Sequence, residues 1–162
     1  MRGQSQPHDS AHSAKCELAA EVLRSWGKLR LRVNGWSMLP SIRPGDTLLI
    51  EAVNYDEVAS GEVVLFLRDQ RLFAHRAVGR KHADLRIITR GDAMRREDRP
   101  LNQPELLGKV TLIWRGGKTV GPPKKLGTFA RAAAAVVRRF EFAARLVVRV
   151  HGQIESQQVQ TV

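Results

Sequence analysis

The chain has 162 residues, of which 27 are lysine or arginine, 16 are aspartate or glutamate and one is cysteine. That length suits one domain with appendages and a core that needs no disulfide or structural metal. A hydrophobic fraction of 43% beside 27% charged residues excludes wholesale disorder, and no apolar run is long enough for a conventional membrane-spanning helix. The net charge of +11 is concentrated late, because residues 115–150 carry nine basic residues against Glu141 alone.

The polar start MRGQSQPHDSAHSAK has no apolar h-region, so a secretory signal is not expected and the location is expected to be cytoplasmic. Residues 1–13 read as a flexible tail. His8 and His12 have the spacing to share a metal on a helix, but Pro7 and the low apolar content favour a solvated tail. From Ala14 to Trp26, Cys16, Ala19, Val22, Leu23 and Trp26 recur at helical spacing and Gly27 closes the run, which predicts an amphipathic helix. Cys16 reads as a packed thiol.

Six β-rich runs follow: Leu29–Val33, Thr47–Val53, Val63–Leu67, Leu72–Val78, Leu85–Thr89 and Leu106–Trp114. Turn signals separate them, among them Arg43-Pro44-Gly45-Asp46, Ala59-Ser60-Gly61 and Arg90-Gly91-Asp92. The pattern predicts a mainly β domain, a compact antiparallel sheet or barrel-like core, over residues 14–115 with the N-terminal helix. Gly116 to Gly127, with Pro122-Pro123, reads as a linker. Residues 128–150 read as a long basic amphipathic helix: Phe129, Val136, Phe140 and Val147 share one stripe and Arg131, Arg138, Arg145 and Arg149 face away from it. Residues 151–162 read as a polar tail.

Three segments carry chemistry. Ser37 follows a strand in the turn Gly35-Trp36-Ser37-Met38-Leu39-Pro40, where a hydroxyl is exposed and backbone N–H groups converge as an oxyanion hole requires; turn chemistry alone gives the same composition. His75 lies in the alternating run Leu72–Val78, where a sheet holds an imidazole as a general base or simply buries a satisfied histidine. Asp92 and Asp98 lie past the fifth run. Either carboxylate could fix the histidine's tautomer, or both could be loop acids pairing with Arg95, Arg96 or Arg99. No Cys and His cluster has metal-ligand spacing, so neither metal nor cofactor is expected.

In order and spacing, GWSMLPSIRPGDTLLIE, GEVVLFLRD, LFAHRAVGR and ITRGDAMRRED resemble the S24/S26 peptidase superfamily of signal peptidase I and the self-cleaving LexA-type repressors. The resemblance runs from about Leu29 to Trp114. A His-Arg pair at 75–76, in place of the dyad lysine, resembles the archaeal and endoplasmic-reticulum type of signal peptidase. It implies Ser37 as nucleophile and His75 as base. Asp98 is implied as the orienting carboxylate with Asp92 in support, and Gly35, Trp36, Met38 and Pro40 form the oxyanion and substrate region. Lys81 lies beyond Gly79-Arg80 and is discounted as the base. Gly35 stands where signal peptidases commonly carry a small hydroxyl residue, Glu62 stands where the family usually has Asp, and the polar start leaves the family's N-terminal membrane anchor unexpected here.

The leading expectation is therefore a serine endopeptidase of signal-peptidase type that cleaves a precursor or leader peptide. A LexA-like self-cleaving regulator is the alternative; the 28 residues before the β region leave no room for a helix-turn-helix domain, and no Ala-Gly dipeptide precedes Ser37. A third reading places function in the helix 128–150, as a binding module with a degenerate peptidase body. Its arginine face opposite a Phe/Val face suits adsorption to an anionic membrane surface better than nucleic acid, and packing on its own domain or a partner is the other reading of the same stripe.

Overall fold

The computed structural model describes residues 7–81 and 85–123. The expected helix 128–150, the polar tail and the last four residues of the expected linker lie outside these residues. Helix α1 (Pro7–Trp26) leads into seven strands: β1 (Lys28–Arg32), β2 (Thr47–Glu51), β3 (Val63–Arg68), β4 (Arg71–Arg80), β5 (Ile87–Arg90), β6 (Leu106–Arg115) and β7 (Lys118–Val120). All pairings are antiparallel, in the order β1-β2-β6-β3-β4-β5 with β7 beside β6. The sheet is open, with β1 and β5 as its ends; it does not close into a barrel.

Four expectations are corrected. The helix starts at Pro7, about two turns before the expected Ala14, so residues 7–13 are not tail. Proline is suited to a first helical position, where its missing N–H has no partner to lose, and Ser13 Oγ donates to Gln70 Oε1 at 2.9 Å. Within α1 the buried stripe is Cys16, Ala20 and Leu23, whereas Trp26 is 81% exposed; Gly27, at φ 69°, turns the chain into β1 immediately afterwards. The expected linker begins with a strand. Gly116 and Gly117 have φ 53° and 76°, the two left-handed residues of a tight hairpin turn, and β7 pairs back on β6 from Arg115↔Lys118 to Ile113↔Val120. The run expected from Leu85 becomes a strand only at Ile87, because Leu85 has φ 53° and is exposed.

Alternation along β3 explains why the sheet is covered twice. Val63 and Leu65 join Ala20, Leu23, Met38, Ile42, Leu48, Ile50, Leu107, Val110 and Ile113 under α1. Val64 and Phe66 face the other way and pack with Val58, Ala77, Ile87 and Leu101. Successive strand side chains point to opposite faces, so the continuous apolar run Val-Val-Leu-Phe supplies both cores from one strand.

Candidate functional site

The site is built at one end of β5. That strand stops at Arg90, opposite Arg76 of β4. Away from β3, residues 71–75 of β4 therefore have no strand partner among the described residues. Beside this stretch lie two loops, the turn that carries Ser37 and the loop that follows β5. The Ser37 turn is fixed from several sides. Met38 and Ile42 are buried in the core under α1, and the Ile42 N–H donates to Met38 O at 3.0 Å. The turn ends at Arg43-Pro44-Gly45-Asp46, where Gly45 has φ 91° and the Asp46 N–H returns to Arg43 O at 3.1 Å. Arg115 of β6 grips that end with Nε on Asp46 Oδ1 at 2.9 Å, Nη2 on Asp46 Oδ2 at 2.6 Å and Nη2 on Ser41 O at 2.8 Å. Burial works to raise the Asp46 pKa, but the Arg115 hydrogen bond and the Arg43 N–H hold it below the usual carboxylate value.

The loop after β5 closes on the serine. The Ala93 N–H donates to Ser37 O at 2.9 Å. A Cβ added to Gly91 would lie 2.6 Å from Ser37 O and 3.1 Å from Ser37 Cβ, so this approach admits no side chain there. Ser37 Oγ lies 3.0 Å from His75 Nε2, and His75 Nδ1 lies 2.7 Å from Asp98 Oδ2. Thr89 Oγ1, fully buried on β5, donates to the same carboxylate oxygen at 2.7 Å, and the Asp98 N–H donates to Thr89 O at 2.8 Å.

These contacts assign the tautomer. Burial opposes ionisation of Asp98, yet the hydrogen bonds from His75 and Thr89, with the charge of Arg68, keep its pKa below the ordinary value. An ionised carboxylate only accepts, so His75 Nδ1 carries the proton and Nε2 presents its lone pair to the Ser37 hydroxyl. The imidazole is 5% exposed and packs against Phe66 and Phe73, each 5.9 Å away between ring centroids.

Asp92 does something else. Arg76, the residue after His75, points to the opposite face of β4 and grips Asp92 with both arms, Nε on Oδ1 at 2.8 Å and Nη2 on Oδ2 at 2.7 Å. The same guanidinium donates to Ser41 Oγ at 3.2 Å, Gly61 O at 2.7 Å and Pro123 O at 2.5 Å. The buried arginine thus ties together the serine turn, the loop after β5 and the chain beyond β7. The expected pairing of these aspartates with Arg95, Arg96 or Arg99 gives way to Arg76 for Asp92 and His75 for Asp98.

Of the oxyanion and substrate residues, Gly35 and Trp36 are exposed, Trp36 by 66%, while Met38 is core and Pro40 follows a cis bond from Leu39. The Ser37 N–H has no acceptor among the described residues. Lys81 is exposed past the end of β4, away from the serine contact. Glu62 holds its own turn, accepting from the Ala59 N–H at 3.0 Å and from Lys109 Nζ at 2.9 Å. Thr89, Phe66 and Phe73 lie within the family-like segments without being marked there as site residues, and their part in the site follows from cross-strand register, Phe66 facing Phe73 and Val64 facing His75.

An open antiparallel sheet thus holds Ser37, His75 and Asp98 in one hydrogen-bonded line on a mainly β domain. A family model described as Peptidase S24-like matches residues 2–111, and the chain belongs to that family, within the S24/S26 serine peptidase superfamily. No curated protein matches the chain. Among the described residues no helix is long and apolar enough to cross a membrane.

Proposed function

We propose that the protein is a serine endopeptidase of signal-peptidase type that cuts a precursor or leader peptide. The observation that carries the reading is the line Ser37 Oγ to His75 Nε2 at 3.0 Å and His75 Nδ1 to Asp98 Oδ2 at 2.7 Å. The hydroxyl attacks the scissile carbonyl while His75 takes its proton. The tetrahedral oxygen receives the Ser37 N–H. His75 then returns the proton to the leaving amine, and water, activated by the same imidazole, hydrolyses the acyl-enzyme. Asp98 holds the ring and stabilises the imidazolium without taking its proton. The unpaired edge of β4 at residues 71–75 offers an extended peptide the backbone of one more strand.

The test is to incubate the protein with a proteome-derived peptide library and sequence the new termini by mass spectrometry. Ser37→Ala and His75→Ala are each expected to lower cleavage at least a thousandfold while leaving circular dichroism and thermal melting near those of the parent. Unchanged turnover in His75→Ala would remove the mechanism. Loss of intact mass in the protein alone, with no library peptide cut, would move the reading to a self-cleaving regulator.

A further inference from the structure

We propose that Arg68 is a positioning residue for the Asp98–His75 contact, a role that rests on the peptidase reading above. Arg68 is the last residue of β3, and its side chain is almost wholly buried. It grips Glu105 with both arms, Nε on Oε1 at 2.6 Å and Nη2 on Oε2 at 2.9 Å. The remaining donors go to the loop that carries Asp98, Nη1 to Arg99 O at 3.1 Å and Nη2 to Pro100 O at 3.3 Å. Glu105 is anchored in turn by the Asn102 N–H at 2.7 Å.

The two carbonyls taken by Arg68 belong to the two residues directly after Asp98. The backbone that delivers the carboxylate is therefore fixed within a residue of its Cα. Arg68 also lies over the ring of Phe66, 5.2 Å from its centroid, and Phe66 is one of the two rings that wall His75. One guanidinium thus braces both partners, the imidazole through its aromatic wall and the carboxylate through its loop. A lysine cannot reproduce this, because a point charge lacks the planar fork that reaches a carboxylate and two carbonyls together.

The test follows two readouts in Arg68→Gln, Asp98→Asn and the double variant. The first is the rate at which a fluorophosphonate labels Ser37, read by intact mass. The second is the downfield proton resonance of His75 Nδ1–H, which needs no chemistry. Arg68→Gln is expected to slow labelling at least tenfold and to lose or broaden the resonance while the methyl spectrum stays folded. In the Asp98→Asn background the same change is expected to cost less than twofold, because the group being positioned is already gone. Losses that multiply in the double variant, or a wild-type rate with the resonance intact in Arg68→Gln, would overturn the proposal. If Arg68→Gln does not fold, Glu105→Gln loosens the same grip, and a wild-type rate and resonance there overturn it equally. Absence of labelling in the parent protein would instead strike the peptidase reading, and the resonance would still decide whether Arg68 positions Asp98.

Discussion

Asp92 and Asp98 lie six residues apart in one loop and take different partners, Asp92 the Arg76 guanidinium and Asp98 the His75 imidazole. Asp92 forms a buried bidentate pair with Arg76, so removing its charge strands a buried guanidinium. Asp92→Asn is expected to cost about 3–5 kcal/mol in urea unfolding, the range for breaking one side of a buried pair. Asp98→Asn, by contrast, leaves the fold and turns the imidazole to the wrong tautomer. On the order of a 10⁴-fold fall in turnover is expected, with little change in unfolding midpoint. Thr89→Val, which removes one donor to the Asp98 carboxylate, is expected to slow turnover about tenfold, the effect of one hydrogen bond worth roughly 1–1.5 kcal/mol. Ser37, His75 and Asp98 could be named as candidates from their turn and strand motifs, while their roles, and Asp98 over Asp92, rested on the family resemblance. Thr89 could not. Its part depends on which β5 residue faces the loop after Arg90, and that register is decided by pairing with β4 rather than by any local pattern.

At the scale of elements, two arginines clamp the two loops that meet at the serine. Arg115 holds the start of β2 through Asp46, and Arg68 holds the loop before β6 through Glu105. Arg68 and its hydrogen bonds lower the Glu105 pKa from 4.5 to about 2. Because the folded value lies below the unfolded one, the stability this carboxylate contributes is complete above about pH 4.5 and is lost as pH falls toward 2. In acid titrations followed by thermal melting, Glu105→Gln is expected to flatten the fall of the midpoint across that window, and an unchanged slope would contradict the assignment. The hairpin between β6 and β7 shows where element reading fell short. Gly116-Gly117 is a strong turn signal on its own, yet Pro122-Pro123 a few residues on made the whole stretch read as linker. A three-residue strand has too little pattern to outweigh two prolines.

At the scale of the whole molecule, β3 belongs to both cores. The layers under α1 and under the loop around Leu101 therefore share one strand and are expected to unfold in a single transition. Phe66→Ala removes a fully buried ring and is expected to cost about 3–5 kcal/mol. It is also expected to lower turnover per folded molecule, because the same ring walls His75; with the folded fraction taken from fluorescence, specific activity should fall while the two urea transitions stay coincident. The mainly β architecture and six of the seven described strands were legible from runs and turns along the chain, but their order in the sheet was not. The closure of the sheet was not, since openness depends on whether the end strands β1 and β5 meet, and that is a property of twist and register summed over the whole sheet.

The described fold ends on a mechanical anchor. Pro123 hands its carbonyl to Arg76, the residue immediately after His75. A pull on the chain beyond that point is delivered first to a guanidinium that also holds Ser41 and Asp92, before it reaches the three-residue zipper of β7. Tension on the downstream, arginine-rich segment is thus felt at the strand that carries His75 rather than dissipated in a surface loop.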